Sequence, residues 1–148
     1  MWNKMWIDLA IVGLLEEYET ETNDPYELCD LLEISIFKVN PDFLFLHGNN
    51  AVYIRNYFDN EVIFIRNDLN ENHEAFYLRH EIGHAVLHVD VEDSILCNKP
   101  KLEQQANYFA FKLGNISFDE IELYEMPIDQ IASCLEVPLD QLKQLANK

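Results

Sequence analysis

Basic residues are scarce in this sequence, and the shortage limits what the protein can bind. Ten Lys and Arg stand against 27 Asp and Glu, which gives a formal net charge of −17. A nucleic-acid-binding protein needs a basic face that displaces the counterions of the phosphates, and this chain has little from which to build one. We therefore expect no direct contact with nucleic acid. The acidity fits solubility, or attraction to a basic partner protein.

Cysteines and long apolar runs are also in short supply. The three cysteines, Cys29, Cys97 and Cys134, are odd in number and far apart, which predicts reduced thiols and not a disulfide framework. No apolar run reaches the roughly 18 residues of a membrane-spanning helix. Asp8 interrupts the apolar start of the chain, so a signal peptide is not indicated. We expect a cytoplasmic protein that makes no contact with a membrane.

The patterns that are present are typical of an α+β domain, and 148 residues suit one domain with a sizeable core. Apolar residues at helical spacing, together with Asp24 as a cap before Pro25, predict helices. They cover residues 2–18, 25–33, about 71–89 and about 101–113. Runs rich in β-branched and aromatic residues predict three or four strands, over 34–39, 43–47, 51–58 and 61–66. We expect a small, mainly antiparallel sheet packed on helices.

The last segment, residues 115–148, predicts two short helices on either side of Val137 and Pro138. The spacing I-A-x-x-L-x-V-P is similar to that of helix-turn-helix DNA binders. However, seven acidic residues stand against two lysines in this segment, a net charge of −5, and a recognition helix without Arg reads phosphates and bases poorly. We interpret the segment as a C-terminal helical hairpin that packs on the rest of the protein or docks a substrate. We expect residues 1–148 to form a single domain.

The stretch RHEIGHAVLH, residues 79–88, holds three of the five histidines. On a helix, His80 and His84 lie about 40° apart and one turn apart, opposite an apolar face that contains Leu78 and Ile82. Two imidazoles at this spacing can bind one Zn²⁺, and Glu81 can then reach a water molecule on the metal. The alternative, two solvated or capped histidines on a surface helix, is disfavoured because composition alone rarely produces HExxH.

A catalytic zinc ion needs a third protein ligand, and downstream acids and His88 are the candidates. Glu103 is favoured because it lies on the following predicted helix, one turn before Asn107, which could orient an imidazole by a hydrogen bond. His88 lies about 80° from His80 and a further turn along, so it diverges from the metal. We interpret it as a helix-end or supporting residue. Tyr77 and Tyr108 are candidate oxyanion donors, although aromatic residues at such positions more often belong to the core.

Residues 24–114 resemble the ImmA/IrrE family of zinc metallopeptidases. The resemblance rests on HEIGH and on the pattern E-x-x-A-N-x-F-A that follows it. It implies a zincin-like fold with zinc, or alternatively Mn²⁺, held by His80, His84 and Glu103, and with Glu81 as the catalytic base. Related zincins often have Asp where this chain has Asn107, so the support for the imidazole is uncharged here. The resemblance also implies a substrate, a helix-turn-helix repressor of a phage or mobile element.

Two functions therefore follow from the sequence. The first is a zinc-dependent endopeptidase that cleaves a helix-turn-helix repressor with metal-activated water and Glu81 as general base. The alternative is a metal-binding but non-hydrolytic module that acts by binding its partner. Glu81 favours the first, because a pure binder has no need of a base beside the metal.

Overall fold

Helices precede and follow a small sheet along the chain, so the architecture is α+β, as the sequence predicts. The structure is a computed structural model that describes residues 4–89, 99–114 and 126–146. In chain order its elements are α1 (Met5–Glu17), α2 (Pro25–Leu32), β1 (Ile34–Val39), a 3-10 turn (Leu44–Leu46), β2 (Ala51–Tyr57), β3 (Asn60–Arg66), α3 (Glu71–Leu87), α4 (Lys99–Leu113), α5 (Ile128–Leu135) and α6 (Leu139–Ala146).

Local hydrogen bonds explain where the helices before and after the sheet begin. The Asp24 carboxylate accepts a hydrogen bond from the backbone N–H of Tyr26 at 3.0 Å, with Pro25 in the first helical position. The side chain of Asn70 accepts one from the N–H of His73 at 2.9 Å and so caps α3. Both caps satisfy backbone donors that a helix start leaves without an internal partner.

The sheet has the order β1-β3-β2, with β3 in the centre. β2 and β3 form an antiparallel hairpin through Phe58 and Asp59, which both have positive φ, as a tight two-residue turn requires. β1 pairs with β3 in parallel, so the expectation of a mainly antiparallel sheet is wrong: one pairing is of each kind. The strand residues predict extended backbone, but they do not specify which neighbour each strand will have.

The strand predicted over residues 43–47 is also wrong, because Leu44–Leu46 forms one 3-10 turn. The side chain of Asn40 accepts a hydrogen bond from the N–H of Asp42, and His47 has positive φ, so the chain turns at both ends of this short segment. Leu46 is fully buried against Val62 and Phe64 on the outer face of the sheet. The alternating apolar residues thus cover the sheet and do not extend it.

The main core lies on the inner face of the sheet, where Ile63 and Ile65 of β3 meet Leu78 and Ile82 of α3. Helices α1, α2 and α4 complete this core. α5 and α6 form a second cluster against Phe111 of α4 and the neighbouring end of α3. The assignment of the whole chain to one domain stays a prediction, because part of the expected hairpin, residues 115–125, lies outside the described residues.

Every helix in the described part of the chain is too short or too polar to cross a lipid bilayer.

Candidate metal centre

Two packed helices, α3 and α4, bring three candidate ligands together. His80 Nε2 lies 3.0 Å from Glu103 Oε2, and His84 Nε2 lies 2.8 Å from Glu103 Oε1. One ligand atom from each of these three residues lies within 4.8 Å of the others. Both imidazoles therefore turn the same ring nitrogen toward one carboxylate.

A glycine between the two histidines permits this close approach. A Cβ atom at Gly83 would lie 3.0 Å from Cδ1 and 3.2 Å from Cβ of Phe109. Phe109 is a fully buried residue of α4, so α4 lies against the glycine backbone of α3. Gly83 thus allows Glu103, 20 residues after it in the sequence, to reach the two imidazoles on α3.

The far side of each imidazole is held by a hydrogen bond. His80 Nδ1 lies 2.7 Å from Oδ1 of Asn107, and the amide nitrogen of Asn107 donates to Gln144 of α6. An amide oxygen only accepts, so Nδ1 of His80 carries a proton, and Nε2 is the nitrogen left to bind a metal. Nδ1 of His84 lies 2.9 Å from Nδ1 of His88, the capping residue that follows the last residue of α3.

Glu81 is buried beside the cluster, with a carboxylate oxygen 3.9 Å from His80 Nε2. Burial raises the pKa of Glu81 above its usual range, although the charges of the imidazoles of His80 and His84 and, less strongly, a hydrogen bond from the backbone N–H of Tyr53 oppose the shift. Glu103 behaves in the opposite way. Burial acts to raise the pKa of Glu103, but hydrogen bonds with both imidazoles outweigh it and leave that pKa below its usual range. Two neighbouring carboxylates are thus held in different electrostatic environments.

An open cleft of about 520 Å³ contains these groups, and strand β2 forms its opposite wall. Tyr77 lines this cleft, and its hydroxyl accepts a hydrogen bond from the amide of Asn50 at 2.9 Å. Tyr108 does not line it, because its hydroxyl donates to Asp8 of α1 at 2.8 Å. Of the two candidate oxyanion donors, only Tyr77 is therefore in contact with the cleft.

His80 and His84 line one cleft, as the helical wheel predicts, but the polar side of α3 is not open to solvent throughout. The helical wheel predicts an apolar face opposite a polar one, whereas His80 is only 3% exposed and Glu81 only 7%. β2 and α4 cover the polar side of α3, so these groups are buried as well. Gln105, Gln144 and the backbone amide of Tyr53 were missed, because no local spacing predicts contacts between distant elements.

The donor set fits a divalent cation. His80 and His84 offer nitrogen atoms and Glu103 offers oxygen, and all three converge on one point between the helices. Two imidazoles and one carboxylate are a common ligand set for catalytic zinc, with a fourth position left open to the cleft. The hydrogen bond that Asn107 makes to the remote nitrogen of His80 is the usual support for a metal-bound imidazole.

An α+β domain with a His–His–Glu cluster in a cleft beside a small sheet is typical of zincin-like metallopeptidases. The chain belongs to the ImmA/IrrE metallopeptidase family, since the sequence model of peptidase family M78, the IrrE N-terminal-like domain, matches residues 44–148. This finding confirms the resemblance seen in the sequence.

Two relatives agree with this assignment. The chain is 30% identical to an uncharacterized immunity region protein 2 of Bacillus phage phi105, over 95% of this chain and 90% of that protein. It is 31% identical to the metallopeptidase ImmA of Bacillus subtilis strain 168, over 79% of this chain and 71% of that one. No solved structure gives a significant match.

Proposed function

We propose that this protein is a zinc-dependent endopeptidase. His80, His84 and Glu103 hold the metal, for which Mn²⁺ is the alternative to Zn²⁺, and Glu81 is the general base. The observation that carries the proposal is the convergence of two Nε2 atoms on the carboxylate of Glu103, at 3.0 and 2.8 Å, with Glu81 buried beside them. The glutamate that follows the first histidine is what a peptidase needs and a simple metal-binding module does not.

The mechanism follows from the positions of these groups. A zinc ion held by His80, His84 and Glu103 would lower the pKa of its water ligand to about 7 and would polarise a carbonyl group. Glu81 accepts the proton of the attacking water and later passes it to the leaving amine. The backbone N–H of Tyr53 holds the Glu81 carboxylate by a hydrogen bond. The proton acceptor is thereby tied to the strand that faces it across the cleft.

The cleft is suited to an extended peptide. β2 pairs with β3 on one side, and within the described residues no strand pairs with its other side. Ala51, Val52 and Tyr53 of β2 line the same cleft as His80 and His84. An extended segment can add to the outer edge of a sheet through backbone hydrogen bonds. This arrangement supports a polypeptide substrate.

We further propose that the substrate is a helix-turn-helix repressor in the cytoplasm. The phage relative is described as an immunity region protein, and the Bacillus subtilis relative as a metallopeptidase. A repressor that binds DNA carries a basic surface, and a formal net charge of −17 attracts such a partner. The competing proposal is an anti-repressor that binds the metal and the repressor without hydrolysis. The acidity of the chain fits both proposals.

The test compares Glu81→Gln with the wild type in cells that also produce a candidate helix-turn-helix repressor. Glu81→Gln keeps a similar shape but removes the proton acceptor. Hydrolysis should therefore fall about 10²–10⁴-fold, while repressor binding in a pull-down persists. Glu27→Gln, the same change on the exposed side of α2, should cut as the wild type does.

Metal analysis of the same proteins separates the two functions further. Glu81→Gln should keep its metal, because Glu81 is not a ligand in this proposal, whereas Glu103→Ala should lose it. If Glu81→Gln relieves repression as well as the wild type does while the repressor stays intact, the protein is an anti-repressor and the endopeptidase proposal fails.

A further inference from the structure

His84, His88 and Gln105 form a line of three side chains, of which the proposed chemistry uses only His84. Nδ1 of His84 lies 2.9 Å from Nδ1 of His88, and Nε2 of His88 lies 2.9 Å from Oε1 of Gln105 on α4. His88 is 5% exposed and Gln105 is 6% exposed. The line ends at the cluster, because the other nitrogen of His84 lies 2.8 Å from Glu103.

We propose that His88 and Gln105 are positioning residues, which hold His84 in the tautomer and orientation that bind the metal. The inference rests on the proposed metal site but goes beyond it. In contrast to Asn107, which contacts its imidazole directly, Gln105 acts on His84 through a second imidazole.

Because the oxygen of Gln105 faces His88, only one arrangement of protons is possible along the line. That oxygen accepts, so Nε2 of His88 carries a proton and Nδ1 of neutral His88 has a lone pair. The contact between the two Nδ1 atoms then needs a proton from His84. A neutral His84 then has its lone pair on Nε2, the nitrogen that would bind the metal.

The opposite orientation of the Gln105 amide would reverse every donor and acceptor. Its N–H would donate to Nε2 of His88, and His88 would donate from Nδ1 to Nδ1 of His84. The proton of His84 would then lie on Nε2, where it blocks coordination, because a neutral imidazole binds metal only through its unprotonated nitrogen. The orientation of one amide on α4 therefore determines whether His84 can act as a ligand.

The geometry also argues against His88 as a ligand in place of Glu103. Nδ1 of His88 contacts Nδ1 of His84, which lies on the side of the His84 ring that faces away from Glu103. Its second nitrogen is engaged with Gln105. Within the described residues, the ligand atoms that converge belong to His80, His84 and Glu103.

Four variants test the line. Gln105→Leu removes the acceptor, whereas Gln105→Glu keeps an oxygen acceptor and removes any possible donor. His88→Leu removes the intermediate imidazole. His88→Asn offers an amide oxygen near the former position of Nδ1, so it keeps a partner for His84 while it loses the contact with Gln105. Gln130→Leu, on an exposed position of α5, is the control for the change from Gln to Leu.

The readouts are the Zn²⁺ dissociation constant, measured by competition with a chromophoric chelator, and the d–d absorption spectrum of the Co²⁺-loaded protein. Gln105→Leu and His88→Leu should weaken Zn²⁺ binding about 10–100-fold, as the loss of support for a metal-bound histidine does in other sites. Gln105→Glu should bind at least as tightly as the wild type and keep its Co²⁺ spectrum. His88→Asn should bind more tightly than His88→Leu.

Two results would overturn the proposal. The first is Zn²⁺ binding by Gln105→Leu as tight as that of the wild type and of Gln130→Leu. The second is an equal loss in Gln105→Glu and Gln105→Leu, which would mean that the residue contributes packing and not an acceptor. Because metal binding is measured without substrate, these results are independent of hydrolysis. If the affinities change as expected but the wild type cleaves no repressor, the positioning role stands and the endopeptidase proposal fails.

Discussion

The contact between Gly83 and Phe109 allows a quantitative test of how tightly α3 and α4 must pack. In Gly83→Ala, the new methyl group would lie 3.0–3.2 Å from three atoms of the Phe109 side chain, among them Cβ and Cγ. These two atoms lie close to the α4 backbone, so rotation of the ring cannot relieve the contact. Phe109 is also fully buried, so relief requires α4 itself to move.

The magnitude has two opposing parts. Overpacking of a core contact costs about 1–3 kcal/mol, and replacement of Gly by Ala within a helix gains about 1 kcal/mol. Gly83→Ala should therefore lower the free energy of unfolding by about 0–2 kcal/mol. Gly13→Ala is the matched control, because Gly13 lies in α1 and a Cβ there would have no atom within 4 Å. It should raise the free energy of unfolding by about 1 kcal/mol.

The assay is urea unfolding of the metal-free proteins, with the two variants compared directly. The helix-propensity gain is common to both, so the difference between them isolates the contact, at about 1–3 kcal/mol. Zn²⁺ affinity is a second readout. Movement of α4 separates Glu103 from His80 and His84, so Gly83→Ala should bind Zn²⁺ more weakly, whereas Gly13→Ala should not. If Gly83→Ala stabilises the protein as much as Gly13→Ala does, the close helix contact does not constrain the site.

Two further predictions concern thiols and DNA. Burial raises the pKa of Cys29 to about 12, and Cys134 is exposed. In a Cys97→Ser background, a thiol reagent at pH 8 should therefore label one cysteine rapidly and the second only in urea; rapid labelling of both would contradict the burial of Cys29. The net charge of −17 predicts that micromolar protein alone does not shift DNA from its own promoter region. A salt-sensitive complex in that assay would contradict this prediction.

Much of the secondary structure could be predicted because its causes are local. The Asp24–Pro25 start of α2 and the periodicity of α3 and α4 each depend on residues within one or two turns. The pairing of β1 with β3 and the 3-10 turn at Leu44–Leu46 were not predicted. Both depend on which segments pack beside or against the sheet. The same alternation of apolar residues can occur in a strand of the sheet or in a segment that covers its face.

The candidate site divides in the same way. The sequence by itself determined that His80 and His84 lie one turn apart with Glu81 beside them, because a helix places residues four apart on one face. Only the tertiary structure decided that Glu103 meets both imidazoles, that Tyr53 binds Glu81 and that Gln105 reaches His84 through His88. These contacts join elements that are separate in the chain. They depend on the distance and angle between packed helices, which close contacts such as that of Gly83 with Phe109 determine and no local pattern of residues encodes.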